Sequence, residues 1–237
     1  MQGYTRRQLK EDRFAETAKE AASWASGHRR PVVWGIGVVV VAALVYAGVS
    51  YWLDRQSEQA NIELGVAMRT LGEPLRPAGT PAGAEGDAGY TTLAERAKAA
   101  GKQFQSVADK YGYIKAGKIA RYMQGVTTMQ AGDNTLAEQQ LKAVADSRNK
   151  DVAALAKMSL ASLYRSTNRL ADAARIYKNV EDHPTDTVSK SQAQLEMAAM
   201  YESTAPQEAA TIYQQILKED PKGEAAQIAS SRLATIK

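Results

Sequence analysis

Two stretches decide the fold: LASLYRSTNRLADAARIYKNVEDHP at residues 160–184 and EMAAMYESTAPQEAATIYQQILKEDP at residues 196–221. Tyr164 and Tyr201 stand 37 apart, Tyr177 and Tyr213 stand 36 apart, and Pro184 and Pro221 stand 37 apart. Counting 36 back from Ala161 and Ala173 reaches Gly125 and Ala137, inside RYMQGVTTMQAGDNTLAEQQLKAV at residues 121–144. A period of this length that holds two helices means stacked helical hairpins. Each hairpin leaves an apolar face that only its neighbour can cover. The competing reading is a generic alanine-rich bundle, which does not require small, aromatic and proline positions to share one spacing.

Working outward, residues 90–237 are almost all helix-forming. Apolar residues recur at helical spacing between short turn signals. The pattern predicts helices near 90–110, 114–131, 135–146, 151–167, 169–181, 187–203, 206–219 and 223–236. No strand pattern appears. The fold class is therefore all-α. Three hairpins and the last helix meet the usual minimum for a stable stack.

These repeats resemble the tetratricopeptide family, which places small residues at its eighth and twentieth positions and aromatics at its eleventh and twenty-fourth. The small pairs here are Gly125 with Ala137, Ala161 with Ala173, and Ala198 with Ala209. The aromatic pairs are Tyr164 with Tyr177 and Tyr201 with Tyr213; Thr128 and Leu141 replace them in the first repeat. The third repeat has one residue fewer between its helices and starts the second with Pro206, a favoured place for proline. The resemblance implies a groove lined by the first helix of each repeat. Its candidate residues are Tyr122, Val126 and Met129, then Met158, Ser162 and Arg165, then Leu195, Ala199 and Glu202. The Lys and Asn clamp that some members use to hold a chaperone's C-terminal carboxylate is absent. This mixed, largely apolar lining suits an extended polypeptide or a partner's helix.

Upstream, VVWGIGVVVVAALVYAGVSYWL at residues 32–53 carries no charge. At about 1.5 Å per residue it reaches roughly 33 Å, enough to cross a hydrocarbon core of about 30 Å. Trp34 at one end and Tyr51 and Trp52 at the other suit the two interfaces. Residues 1–31 hold seven Lys or Arg and four Asp or Glu, and Arg29 and Arg30 adjoin the run. Positive charge beside a span stays in the cytoplasm, so the expected orientation is N-inside with the repeats outside. A cleaved signal peptide is the rival, but its apolar core is shorter and its leader briefer. Ala43 and Ala47 are small residues four apart, a spacing that lets spans pack closely. The expected division is a tail at 1–31, a span at 32–53, a helix extension and Pro/Gly-rich tether at 54–89, and the repeat domain at 90–237. Thr5 and Gln8 suggest a capped helix over residues 5–26, on the membrane surface, against a partner or solvated.

Composition excludes several functions. No cysteine occurs, so disulfides and lipidation at cysteine are ruled out. The two histidines, His28 and His183, leave no metal cluster and no Ser-His-Asp arrangement. Outside the tail and the run, 23 basic residues meet 22 acidic ones, which gives no charge excess for nucleic acid. No cofactor, no metal and no small-molecule substrate is expected, and the chain does not read as an enzyme.

The whole layout resembles the bacterial family containing the ancillary subunit of the Sec translocon. The resemblance implies an inner-membrane protein with a periplasmic repeat domain that assists exported polypeptides. The alternative is a scaffold for an envelope assembly or division complex. The expected partners are proteins on either reading.

Overall fold

The computed structural model describes residues 29–76 and 89–236. The expected helix at 5–26 and most of the Pro/Gly-rich segment lie outside the described residues. Those described form nine helices and no strand. They are α1 (Arg29–Gly72), α2 (Leu93–Tyr111), α3 (Lys115–Gln130), α4 (Asn134–Ala145), α5 (Lys150–Ser166), α6 (Leu170–Asp182), α7 (Lys190–Tyr201), α8 (Pro206–Glu219) and α9 (Glu224–Leu233). The eight helices predicted after residue 90 fall within a few residues of α2 to α9.

Two units make up the chain, Met1–Arg55 and Gln56–Lys237. In the first, every large apolar side chain described from Val33 to Trp52 is more than half exposed, with Trp34 and Tyr46 at 76%. A continuous apolar surface of this kind has no place in water, and the helix is long and apolar enough to cross a bilayer.

The second unit begins well before residue 90. Ala60 and Ala67 are fully buried against Phe104, Val107, Ala108 and Tyr111 of α2, with Ala116 and Ala120 of α3. Alanines at these places let the backbones approach closely. Glu63, between them, accepts hydrogen bonds from Tyr111 Oη at 2.8 Å and Lys110 Nζ at 2.7 Å. The sequence reading treats 54–71 as an extension outside the repeats, because buried alanines look like surface alanines when only composition is read. Residues 72–89 were expected to tether anchor to domain. The described residues at their two ends are joined: Arg76 N–H donates to the Tyr90 carbonyl at 2.9 Å, and Arg96 Nη1 donates to the Glu73 carbonyl.

Caps define the helix starts. Thr92 Oγ1 accepts from Glu95 N–H at 3.1 Å while Glu95 accepts from Thr92 N–H at 3.3 Å, a reciprocal capping box. Asp133, Asn149 and Ser189 cap α4, α5 and α7 through their side chains. The hairpin turns repeat as well. Gly132 at φ 90° and Asn168 at φ 59° are 36 apart, each in the left-handed region that ends a helix. The third hairpin lacks that residue, and Pro206 opens α8 directly after Ala205.

Packing follows the repeat. Gly125, Ala137, Ala161, Ala173, Ala198 and Ala209 are all buried where paired helices touch. A Cβ on Gly125 would sit 2.8 Å from Leu141 Cδ2, so the glycine makes room for the leucine that replaces a tyrosine in this repeat. Tyr164, Tyr177 and Tyr213 are at most 3% exposed. Helix α9 packs on α8 through Ala229, beside Tyr213 and Ile216.

Candidate functional site

The first helices of the three hairpins, α3, α5 and α7, border a recess of about 280 Å³. Tyr122 and Met129 come from α3, and Leu155, Met158, Ser159, Ser162 and Arg165 from α5. Gln192 and Glu196 of α7 close the other side, with Val188 and Tyr177 completing it. The recess is therefore a product of repeat stacking, since no single hairpin supplies its walls.

Five of the nine groove residues expected from the sequence stand here together: Tyr122, Met129, Met158, Ser162 and Arg165. Val126 is half-buried and packs toward the core around Leu141 and Leu160. Leu195 packs with the cluster around Tyr213, and Ala199 is half-buried beside it. Glu202 is committed inside the fold, accepting from Tyr213 Oη at 2.7 Å and lying 3.6 Å from Arg232 Nη1. Leu155, Ser159, Gln192 and Glu196 were not anticipated. Leu155 and Gln192 lie one turn before Met158 and Leu195, and Ser159 and Glu196 one residue after them, so counting only the positions carried from the family pattern misses them.

The chemistry of the recess is mixed. Met129, Leu155 and Met158 give an adaptable apolar side. Tyr122 Oη and Ser159 Oγ pair at 3.1 Å. Arg165 Nη1 lies 3.4 Å from Glu196 Oε2, and both side chains are well exposed, so the pair adds little stability. Tyr177 is 1% exposed and its hydroxyl has no hydrogen-bond partner. Burial pushes this hydroxyl up to about 12, with the nearby Arg165 pulling weakly the other way. It is a proton donor throughout the neutral range.

Other polar clusters are structural. Glu138 accepts from Lys142 Nζ, Tyr164 Oη and Arg169 Nη1 at 2.6–2.9 Å, so it ties the first hairpin to the second. The Lys142 hydrogen bond, followed by those from Tyr164 and Arg169, pulls its carboxyl down to about 2 against the cost of burial. His183 is an exposed turn residue with Nδ1 3.1 Å from the Asn179 carbonyl. Among the described residues, no group of three His, Cys, Asp or Glu side chains comes together as a metal site.

A family model described as a tetratricopeptide repeat-like domain matches residues 23–183, about two thirds of the chain. That span takes in the uncharged run, the helix carrying Ala60 and Ala67, and the first two hairpins. Neither a curated protein nor a solved structure matches the chain.

Proposed function

The chain belongs to the tetratricopeptide repeat-like domain family, whose hairpin stacks mediate contacts between proteins, and from that premise we propose that it is a membrane-anchored polypeptide-binding protein. The carrying observation is the recess between α3, α5 and α7, with its methionine side and its hydrogen-bonding groups. An extended chain lying there meets apolar surface for alternate side chains and polar groups for its backbone. Binding is non-covalent.

In this reading the run at residues 32–53 holds the repeats beside the membrane, which raises their local concentration at membrane partners. Arg29 and Arg30, beside the run, support an orientation with the repeats on the outer face of a bacterial inner membrane. The clients are then exported polypeptides, met at or near the Sec translocon. Residues 90–237, with the helix at 56–72, act as the binding body, and the five groove positions that line the recess, Tyr122, Met129, Met158, Ser162 and Arg165, are its candidate contacts.

In-cell photocrosslinking tests this. A benzophenone side chain at Tyr122, Met158 or Gln192 should give crosslinks to many exported chains. Crosslinks to one fixed partner would favour a scaffold for an envelope complex. A blank at all three positions would remove the recess as the binding site. Orientation has a separate test, in which protease added to spheroplasts should degrade the repeats.

A further inference from the structure

Tyr177 and Tyr213 occupy the same place in successive repeats, 36 residues apart and each 1% exposed. Their hydroxyls differ. Tyr213 Oη donates to Glu202 at 2.7 Å, while Tyr177 Oη has no partner. The residue 37 before Glu202 is Arg165. Where the third repeat supplies an acceptor, the second supplies another donor. A buried hydroxyl left unpaired costs about 1–3 kcal/mol, so a fold that satisfies the twin tyrosine leaves this one open at a cost.

Tyr177 lines the recess, and its hydroxyl feels the charges of both Arg165 and Glu196. The geometry points to a specific occupant: an extended polypeptide that parts the exposed Arg165–Glu196 pair to reach the buried Tyr177 Oη with one main-chain carbonyl oxygen and sets an apolar side chain against Met129, Leu155 and Met158. The incoming carbonyl supplies what Glu202 supplies to Tyr213. A neutral oxygen fits better than a carboxylate, because Glu196 already balances Arg165 and would repel a second negative charge. A main-chain carbonyl also recurs at every residue, so this contact anchors a chain without reading its sequence. Apolar selectivity is left to the two methionines and Leu155.

The inference rests on the polypeptide-binding function proposed above, and one experiment separates the two. The full chain in nanodiscs is titrated into fluorescein-labelled, reduced and carboxymethylated α-lactalbumin, a permanently unfolded probe, and anisotropy is followed. Tyr177→Phe should weaken binding about 3- to 10-fold, the loss of one hydrogen bond. Tyr213→Phe should bind as the parent does, since its hydroxyl is satisfied internally. Without probe, thermal unfolding should show the reverse: Tyr213→Phe loses stability, while Tyr177→Phe does not, having lost only an unpaired group. Arg165→Glu recreates the third repeat's arrangement and should weaken binding to a similar degree, with no further loss on adding Tyr177→Phe. Equal affinity for Tyr177→Phe and the parent would overturn the carbonyl contact and leave the broader function standing. Weakening by Tyr213→Phe equal to that by Tyr177→Phe would overturn it too. Affinity that falls more than tenfold between 50 and 300 mM salt would overturn the neutral acceptor in favour of a carboxylate. No binding by the parent protein would remove both.

Discussion

Residues 33–53 and residues 56–72 both lie within the helix Arg29–Gly72, yet they solve opposite problems. The first stretch carries Val, Leu, Ile, Trp and Tyr on all sides, and these side chains stand exposed. The second buries only Ala60, Ala67 and Thr70 and leaves Ile62, Val66 and Met68 more than two-fifths exposed. Large side chains all round a helix suit a solvent made of hydrocarbon, which has no preferred direction. A narrow stripe of alanines suits another protein surface at close range. Hydrophobic content thus misleads about which stretch packs in the fold: the less apolar one does.

The largest effect that tests this comparison comes from truncation. Removing residues 1–55 should leave a soluble protein that unfolds cooperatively by circular dichroism. Removing residues 1–89 strips the cover from Phe104, Val107 and Tyr111. That should cost about 3–5 kcal/mol, from exposing the equivalent of two large side chains, and should broaden or abolish the transition. Equal stability of the two fragments would mean that Ala60 and Ala67 merely rest on the domain.

A smaller effect should separate the two stretches with one kind of substitution. Ala67→Leu adds bulk to a fully buried contact and should cost about 1–3 kcal/mol by urea denaturation. Ala43→Leu, at an exposed position of the uncharged stretch, should leave the unfolding midpoint of the repeats unchanged. A matching loss at both sites would erase the distinction.

The smallest effect is electrostatic. Hydrogen bonding to Lys110 lowers the Glu63 carboxyl below its ordinary value near 4.5, against an opposing push from burial, and the Tyr111 hydrogen bond adds a smaller pull downward. A depressed acid stabilises the fold above its unfolded value and loses that contribution as pH falls through the folded one. The stability gap between the parent and Glu63→Gln should therefore be open at pH 7 and close as pH drops below about 4. The site is exposed, so the gap is modest, and high salt should narrow it. A gap unchanged between pH 7 and pH 3 would mean that Glu63 contributes only through shape.

Much of the fold was legible because its punctuation is chemical. Thr92 with Glu95, Asp133, Asn149 and Ser189 mark helix starts, and Gly132 and Asn168 mark turns at the repeat spacing. Tyr164, Tyr177 and Tyr213 announce the stack by their recurrence alone. The first hairpin was readable despite Leu141, since Gly125 and Ala137 keep the spacing. The role of residues 56–72 was not legible. The residues it buries completely are alanines, which look alike in a core and on a surface, and the prolines after it read as a boundary. The recess was only half legible. Its α3 and α5 wall follows in part from repeat positions, but Gln192 and Glu196 of α7 stand at none of them. The open hydroxyl of Tyr177 depends on Arg165 standing where the next repeat has Glu202, a difference between repeats that a search for their likeness passes over.

The hydrogen bond between Arg76 and Tyr90 has an engineering consequence. With both ends of the intervening segment fixed by the surrounding fold, its length is nearly free. Doubling a closed loop costs only about 0.6 kcal/mol. This is the address at which a fluorescent protein, an epitope or a whole extra domain can be spliced into the chain without asking the helices on either side to move.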